Sequence, residues 1–271
     1  MTRDSALSKV PAVTLTFWIV KILATTLGET GGDTVSMTML HDRFHIDQNL
    51  SYLLGTALFG AAMIALVIWQ IGAVRFRPFL YWATIIASTT LGTTLADFAD
   101  RSLGIGYPGG SLLLFALVLA SLALWYRAEG TVSVQSVNTP RVEAFYWITI
   151  TLSQTLGTAL GDWTADLIDA HTGDAGYGFE GGAVLFGAVL AVIALLYFRT
   201  RISRVGLFWA AFILTRPLGA TVGDFFDKPP AKGGLDVSRP LATAILAAII
   251  VACILVFPQR AGGHPGAADA P

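Results

Sequence analysis

One motif, occurring four times at a nearly fixed interval inside strongly apolar sequence, constrains what this chain can fold into. The copies are FWIVKILATTLGETGGD (Phe17 to Asp33), YWATIIASTTLGTTLAD (Tyr81 to Asp97), YWITITLSQTLGTALGD (Tyr146 to Asp162) and FWAAFILTRPLGATVGD (Phe208 to Asp224). Each has an aromatic–Trp pair, a Leu-Gly ending ten residues after the Trp, and an Asp five residues beyond that Gly. The tryptophans at 18, 82, 147 and 209 are 64, 65 and 62 residues apart. Four ungapped matches of this length mark a fourfold internal repeat. Each copy sets a carboxylate in apolar sequence, where carboxylates are costly and usually functional.

The chain has 271 residues, of which 54% are hydrophobic and 13% charged. A soluble domain carries about 25% charged residues, so an integral membrane protein is expected. Formal net charge is -1, which speaks against nucleic acid as a partner. The single cysteine, Cys253, can make no internal disulfide, and its plain reading is a small core residue. The N-terminal stretch resembles a signal peptide superficially. Lys21 interrupts it, no small-x-small cleavage site follows, and it carries the first motif, so it reads as a retained first span.

Each repeat holds two apolar segments. The motif segments cover about 13–36, 79–99, 144–167 and 205–226, and the second segments about 50–73, 109–127, 181–199 and 239–257. A span needs about 20 residues, so the predicted fold is all-α with eight transmembrane helices. The single membrane domain runs from 13 to 258, in repeats of about 13–74, 78–128, 143–200 and 205–258. A cytoplasmic segment, 1–12, precedes it and a disordered cytoplasmic tail, 259–271, follows. An even number of spans gives every repeat the same orientation, with parallel pseudo-symmetry about the membrane normal.

Ten basic residues in the loops and termini on one side, against four on the other, place both termini in the cytoplasm. Trp69, Trp125, Tyr126, Tyr197 and Phe257, with the four motif tryptophans, then form an aromatic belt at the inner interface. Acidic residues such as Asp42, Asp47, Asp100, Asp166, Asp169 and Asp227 fall on the outer side. They either concentrate cations at an outer mouth or are simply tolerated there.

Two devices are fused in the motif. Gly28/Gly32, Gly92/Ala96, Gly157/Gly161 and Gly219/Gly223 are small residues four apart, which lets two helix backbones approach closely. The residue after each pair is Asp33, Asp97, Asp162 or Asp224, about 22 Å along a helix from its Trp. Four such carboxylates near one axis would repel each other unless they share a cation, and hard oxygen ligands suit Mg²⁺, Ca²⁺ or Mn²⁺.

The stripe around them is polar but not uniform. Lys21, Thr25, Glu29 and Asp33 follow at four-residue steps. Thr89, Thr93, Asp97 and Arg101 do so in the second copy, Gln154, Thr158, Asp162 and Asp166 in the third, and Arg216, Ala220, Asp224 and Lys228 in the fourth. Glu29, Asp33, Asp97, Asp162 and Asp224 are the candidate metal ligands. Thr25, Thr89, Thr93, Thr158, Gln154, Asp100, Asp166 and Asp227 form the secondary polar lining. Arg216 is a candidate partner for a carboxylate of another repeat. Lys21 either snorkels to the inner interface or pairs with a buried carboxylate. The competing reading gives the aspartates a purely structural role, capping turns or joining helices.

His41 and His45 form an i, i+4 pair that suits either a transition metal or a solvated loop. Gly109-Gly110, Gly181-Gly182 and Gly233-Gly234 are expected to form tight outer turns, or else irregular backbone lining a water-filled cavity.

The segment KILATTLGETGGDTVSMT, with TLGTTLADFAD and TLGTALGDWTAD, resembles a bacterial family of uncharacterised membrane-anchored proteins built from a four-copy repeat of unknown function. The resemblance covers about residues 12–258. It implies an eight-span bacterial inner-membrane protein and brings no activity with it.

The expected function is therefore transport of a small cation, a divalent metal such as Mn²⁺, with export favoured and proton exchange as the coupling. The lipid bilayer is the expected partner, a homo-oligomer is compatible with it, and no cofactor is expected. The alternative is a membrane scaffold or sensor whose glycines and aspartates only pack helices. An enzyme is not expected, because the chain has neither an HExxH motif nor a nucleophile elbow.

Overall fold

The computed structural model describes residues 7–172 and 177–263. Among them are eight α-helices: α1 (Leu15–Asp33), α2 (Gln48–Gly72), α3 (Pro78–Asp97), α4 (Tyr107–Glu129), α5 (Pro140–Thr172), α6 (Gly178–Arg199), α7 (Arg204–Asp227) and α8 (Arg239–Val256). Two short strands, β1 (Leu7–Pro11) and β2 (Ala261–Gly263), pair antiparallel. Local chemistry sets the helix starts. Thr14 accepts from the Phe17 N–H, Asp47 from those of Asn49 and Leu50, and Ser203 from that of Gly206, while Pro78 opens α3. Gly130, at φ 71°, ends α4 in a left-handed cap. Both α1 and α3 run on directly into π-helical turns, Thr34–Arg43 and Phe98–Ser102, so each backbone widens immediately after its motif aspartate.

The four motif helices close into a ring. Helix α1 packs on α3 and α7, and α5 packs on the same two helices from the opposite side. The second helices lie outside and are handed on around the ring: α2 packs on α3, α4 on α5, α6 on α7 and α8 back on α1. Each repeat thus lends its second helix to the next, and the fourth lends its own to the first. The division into inner and outer helices is plain in their burial. The most apolar windows of α3 and α7 are 78% and 56% buried, against 11% to 28% for α2, α4, α6 and α8. What the outer helices expose is apolar: Ile64, Leu112, Val184 and Leu255 are 63%, 65%, 67% and 69% exposed. Large exposed apolar faces of this kind mark contact with lipid or partners.

Six described helices are long and apolar enough to cross a membrane: α2, α3 with its π-turn, α4, α6, α7 and α8. Helices α1 and α5 have the length, at 19 and 33 residues, and fall short in apolarity. The cause in α1 is its own stripe, because Lys21, Glu29 and Asp33 share one helix with a run of threonines.

The glycines work as the small-residue pattern predicts, and in one repeating sense. A Cβ on Gly28 would sit 2.3 Å from the Thr89 side chain, and one on Gly92 would sit 2.8 Å from the Gln154 backbone. One on Gly157 would lie 2.2 Å from the Arg216 side chain, and one on Gly219 would lie 2.3 Å from that of Thr25. The second glycine of each pair repeats this one turn further on. A Cβ on Gly32 would meet Thr93 at 2.9 Å, one on Gly161 would meet the Ala220 methyl at 3.1 Å, and one on Gly223 would meet Glu29 at 2.7 Å. Each motif glycine therefore seats the residue three places before the corresponding small residue of a neighbouring motif helix. The contacts of Gly219 and Gly223 return to the first helix and close the ring. Ala96 differs from the other three second positions in carrying a methyl of its own, and it is buried at 2% exposure. The α3–α5 contact thus relies on Gly92 for its closest approach.

The aromatic–Trp pairs obey the same rule. Phe17 meets Trp82 at 5.5 Å between ring centroids, Tyr81 meets Trp147 at 5.8 Å, Tyr146 meets Trp209 at 6.4 Å and Phe208 meets Trp18 at 5.6 Å. Eight aromatic rings close one end of the ring of helices. This corrects the interfacial belt for the motif residues: Trp82, Trp147 and Trp209 are buried core, and Trp18 is half-buried. Trp125 is buried as well, whereas Trp69, Tyr126, Tyr197 and Phe257 are exposed as expected. Burial wins for the motif tryptophans because close helix approach puts a neighbouring aromatic within stacking distance.

Two further expectations are corrected. Residues 261–263 are not disordered, since β2 pairs with β1, and β1 is tied in turn to the α4–α5 loop by Lys9 N–H to Val137 O at 2.7 Å. Residues 264–271 of the predicted tail, and residues 1–6 of the N-terminal segment, lie outside the described residues. Gly109, Gly110, Gly181 and Gly182 are helical rather than turn residues. They make room: a Cβ on Gly110 would meet the Asp100 carboxylate at 2.2 Å, and one on Gly182 would meet Thr221 at 2.8 Å. Only Gly233 takes the turn conformation, at φ 77°.

Candidate functional site: a charged axis inside the ring

Four-residue spacing stacks the stripe of each motif helix along the inside of the ring, one helical turn, about 5.4 Å, per layer. Beyond the aromatic closure the layers run outward from Lys21. Thr25, Thr89, Gln154 and Arg216 follow, then Glu29, Thr93 and Thr158, then Asp33, Asp97, Asp162 and Asp224. All twelve of these side chains are buried. Arg101 and Lys228 stand one turn further on.

The carboxylates do not form a single cluster. They are gathered into three groups, each around a cation. In the deepest, Arg216 Nη2 reaches all three other motif helices. It lies 3.0 Å from Glu29 Oε2 on α1, 2.6 Å from Thr93 Oγ1 on α3 and 2.6 Å from Thr158 Oγ1 on α5. Neither Arg216 nor Glu29 has appreciable contact with solvent. The Arg216 pairing expected from sequence is present, and its partner is Glu29.

Asp97 and Asp162 share Arg101, at 3.1 Å each. Asp33 and Asp224 share Lys228, whose Nζ lies 2.7 Å and 2.9 Å from them and 3.7 Å from Asp227. Arg239, the first residue of α8, adds contacts to Asp33 at 3.6 Å and Asp227 at 3.4 Å. Oxygens of Asp33, Asp224 and Asp227 all lie within 4.8 Å of one another. This is the one group among the described residues with the ligand types and spacing to hold a metal ion, and the Lys228 ammonium lies among the same oxygens.

Lys21 neither snorkels nor pairs with a carboxylate. Its side chain is fully buried, its amine lies 4.2 Å from the centroid of the Phe212 ring, and it has no hydrogen-bond partner among the described residues. The aromatic layer lies between it and that end of the ring.

Thr25 is turned to its own backbone and to the Thr215 carbonyl at 3.1 Å. Three of the acids outside the ring sit near helix N-termini. Asp47 caps α2, Asp100 lies against Gly110 in the first turn of α4, and Asp169 lies against Gly178 at the start of α6. Negative charge at these ends interacts favourably with the positive end of the helix dipole. Asp166 is exposed. His41 Nδ1 is 2.8 Å from the Ile46 carbonyl, inside its own turn, and His45 is exposed.

The basic members that sequence reasoning did not assign as partners are Arg101, Lys228 and Arg239. Two had a legible signal: Asp97–Arg101 and Asp224–Lys228 are i, i+4 pairs on one helix face. Arg239 had none, because it arrives from α8.

A family model described as Repeat of Unknown Function (DUF347) matches residues 16–76, 80–131, 145–203 and 207–259. The chain belongs to this repeat family. No curated protein and no solved structure matches it. The four matched units are the four motif-plus-second-helix pairs of the ring, so the family repeat is the unit that interlocks.

Proposed function

We propose that this DUF347 protein is an eight-span transporter of a small cation, a divalent metal such as Mn²⁺, in a bacterial inner membrane. In this reading all eight helices span, both termini are cytoplasmic, and the four repeats are related by an axis along the membrane normal. The charged axis is the path. Residues that are hard to bury are lined up inside a ring whose outer faces are apolar, which is the arrangement expected of an intramembrane ion route.

The observation that carries the reading is the convergence of Asp33, Asp224 and Asp227 on the Lys228 ammonium. Lys228 holds the place of a cation. An arriving metal ion displaces it, takes carboxylate oxygens that suit a hard ion, and returns the site to Lys228 on leaving. The aromatic layer at the other end acts as the closed gate, so release on that side requires those rings to separate.

A second reading is favoured by a specific observation: each motif aspartate already has a basic partner at 2.7–3.1 Å. On that reading the charges staple helices together and nothing passes. Flux of Mn²⁺, Mg²⁺, Ca²⁺ and Zn²⁺ into proteoliposomes, measured beside Asp33→Asn and Asp224→Asn variants, separates the two. Metal flux lost in both variants while they stay folded supports transport. Absence of flux for every ion, with variants that are merely less stable, establishes the staple.

A further inference from the structure

The inner end of the axis carries an excess of positive charge. Lys21 and Arg216 are both fully buried, the first stripe carboxylate beyond them is Glu29, one turn past the Arg216 layer, and it engages only Nη2 of Arg216. The Lys21 amine makes no hydrogen bond and no ion pair among the described residues. With Lys21 protonated, an ammonium and a guanidinium beside one carboxylate carry one positive charge in excess, which is costly in a low-dielectric interior.

The hydrogen-bonding groups beside them are also unspent. Lys21 Nζ, Arg216 Nε and Nη1, the Gln154 amide and the Thr89 hydroxyl have no partner among the described residues. Lys21, Thr89, Gln154 and Arg216 are all fully buried. They come one from each of the four motif helices. Thr89, Gln154 and Arg216 occupy equivalent positions in their repeats, and Lys21 stands one turn inward. Its amine lies against Phe212, which is one turn before Arg216 on α7. Four residues with unspent donors therefore stand within about one helical turn of each other along the ring. Donors outnumber acceptors among these groups: the Lys21 amine, the Arg216 guanidinium, the Gln154 amide N–H and the Thr89 hydroxyl stand against one unpartnered acceptor, Gln154 Oε1, which is the balance of an anion site.

We propose that the ring binds a small monovalent anion of the halide class between Lys21 and Arg216. Lys21, Arg216, Gln154 and Thr89 are its ligands, on the aromatic side of the Glu29 layer. The anion neutralises the excess charge and supplies the acceptor that these donors lack. The inference stands apart from cation transport, since it concerns the opposite end of the axis and holds equally if the aspartates are structural.

The test uses the full chain in detergent. Unfolding midpoints are read from tryptophan fluorescence while sodium chloride or bromide replaces sodium gluconate at constant ionic strength. Chloride and bromide are expected to raise the midpoint saturably, by on the order of 5 °C at one hundred times the dissociation constant. Lys21→Met is expected to abolish that dependence and Gln154→Leu to weaken it at least tenfold. If either variant fails to fold, the bromide position in anomalous diffraction from wild-type crystals decides, with a peak expected beside Lys21 Nζ. Equal midpoints in chloride and gluconate would mean that Lys21 is held as the neutral amine and would overturn the proposal. So would an anion effect that persists in folded Lys21→Met, or a bromide peak elsewhere only.

Discussion

The Nη2 atom of Arg216 lies 3.0 Å from Oε2 of Glu29, joining the fourth repeat to the first in the interior of the ring. Removing one member of such a pair leaves the other as an uncompensated buried charge, at a cost of about 3–5 kcal/mol. Arg216→Met should therefore lower the unfolding midpoint strongly. Adding Glu29→Gln to that variant should recover much of the loss, because the stranded carboxylate is then gone. Thermal unfolding of the two single variants and the double variant gives the coupling energy. Simple additivity would show that the two side chains do not depend on each other.

Lys228 lies 2.7 Å from Asp33 and 2.9 Å from Asp224, and the two functional readings part over its removal. A unit charge at about 4 Å is worth about 4 kcal/mol at an effective dielectric of 20. If Lys228 holds a cation's place, Lys228→Met should raise divalent-metal affinity by at least tenfold and slow turnover, because the ion no longer has a competitor to displace it. Isothermal titration with Mn²⁺, beside flux in proteoliposomes, reads both effects. A variant that is less stable and still binds no metal favours the staple.

Helix spacing at the glycines makes a purely steric prediction. A Cβ at Gly92 would lie 2.8 Å from the Gln154 carbonyl carbon and 2.9 Å from the Thr155 nitrogen, and backbone cannot swing aside. Gly92→Ala should force α3 and α5 apart and cost about 1–3 kcal/mol. Gly72 has nothing within 4 Å of its Cβ position, so Gly72→Ala should leave stability unchanged or slightly raised. Parallel thermal unfolding of the two variants checks this, and equal losses would refute the close approach.

Much of the ring was legible in the sequence, and the parts that were not share a cause. Helix positions followed from apolar length, and the small-residue pairs announced close packing, because both are properties of one helix. Which helices meet is a property of the assembly. The motif alone does not tell whether Gly157 faces Arg216 or Thr25, since all four helices carry the same signal. The same ambiguity hid the burial of Trp82: an aromatic at a helix end reads as interfacial until a neighbour's Phe17 is placed beside it. Carboxylates were legible as a set, and their division among Arg216, Arg101 and Lys228 was not. Four equal copies suggest a shared centre, while the exceptions to the repeat, Glu29, Arg101, Arg216 and Lys228, decide the grouping.

The closed aromatic layer yields the last prediction. Trp82 is 1% exposed, meets Phe17 at 5.5 Å and Tyr81 at 5.2 Å, and donates its indole N–H to Gln259 at 3.3 Å. It therefore binds the first two repeats to each other and to the chain beyond α8. Truncating a buried Trp costs about 3–5 kcal/mol, so Trp82→Ala should destabilise strongly. Trp69 is 57% exposed on α2, and Trp69→Ala should fall within about 0.5 kcal/mol of wild type, as substitutions away from packed features do. If the layer is also the gate, Trp82→Ala protein that stays folded should leak ions that the wild type holds back. Dye release and ion flux from proteoliposomes measure that leak, and a tight, folded variant would show that the seal lies elsewhere on the axis.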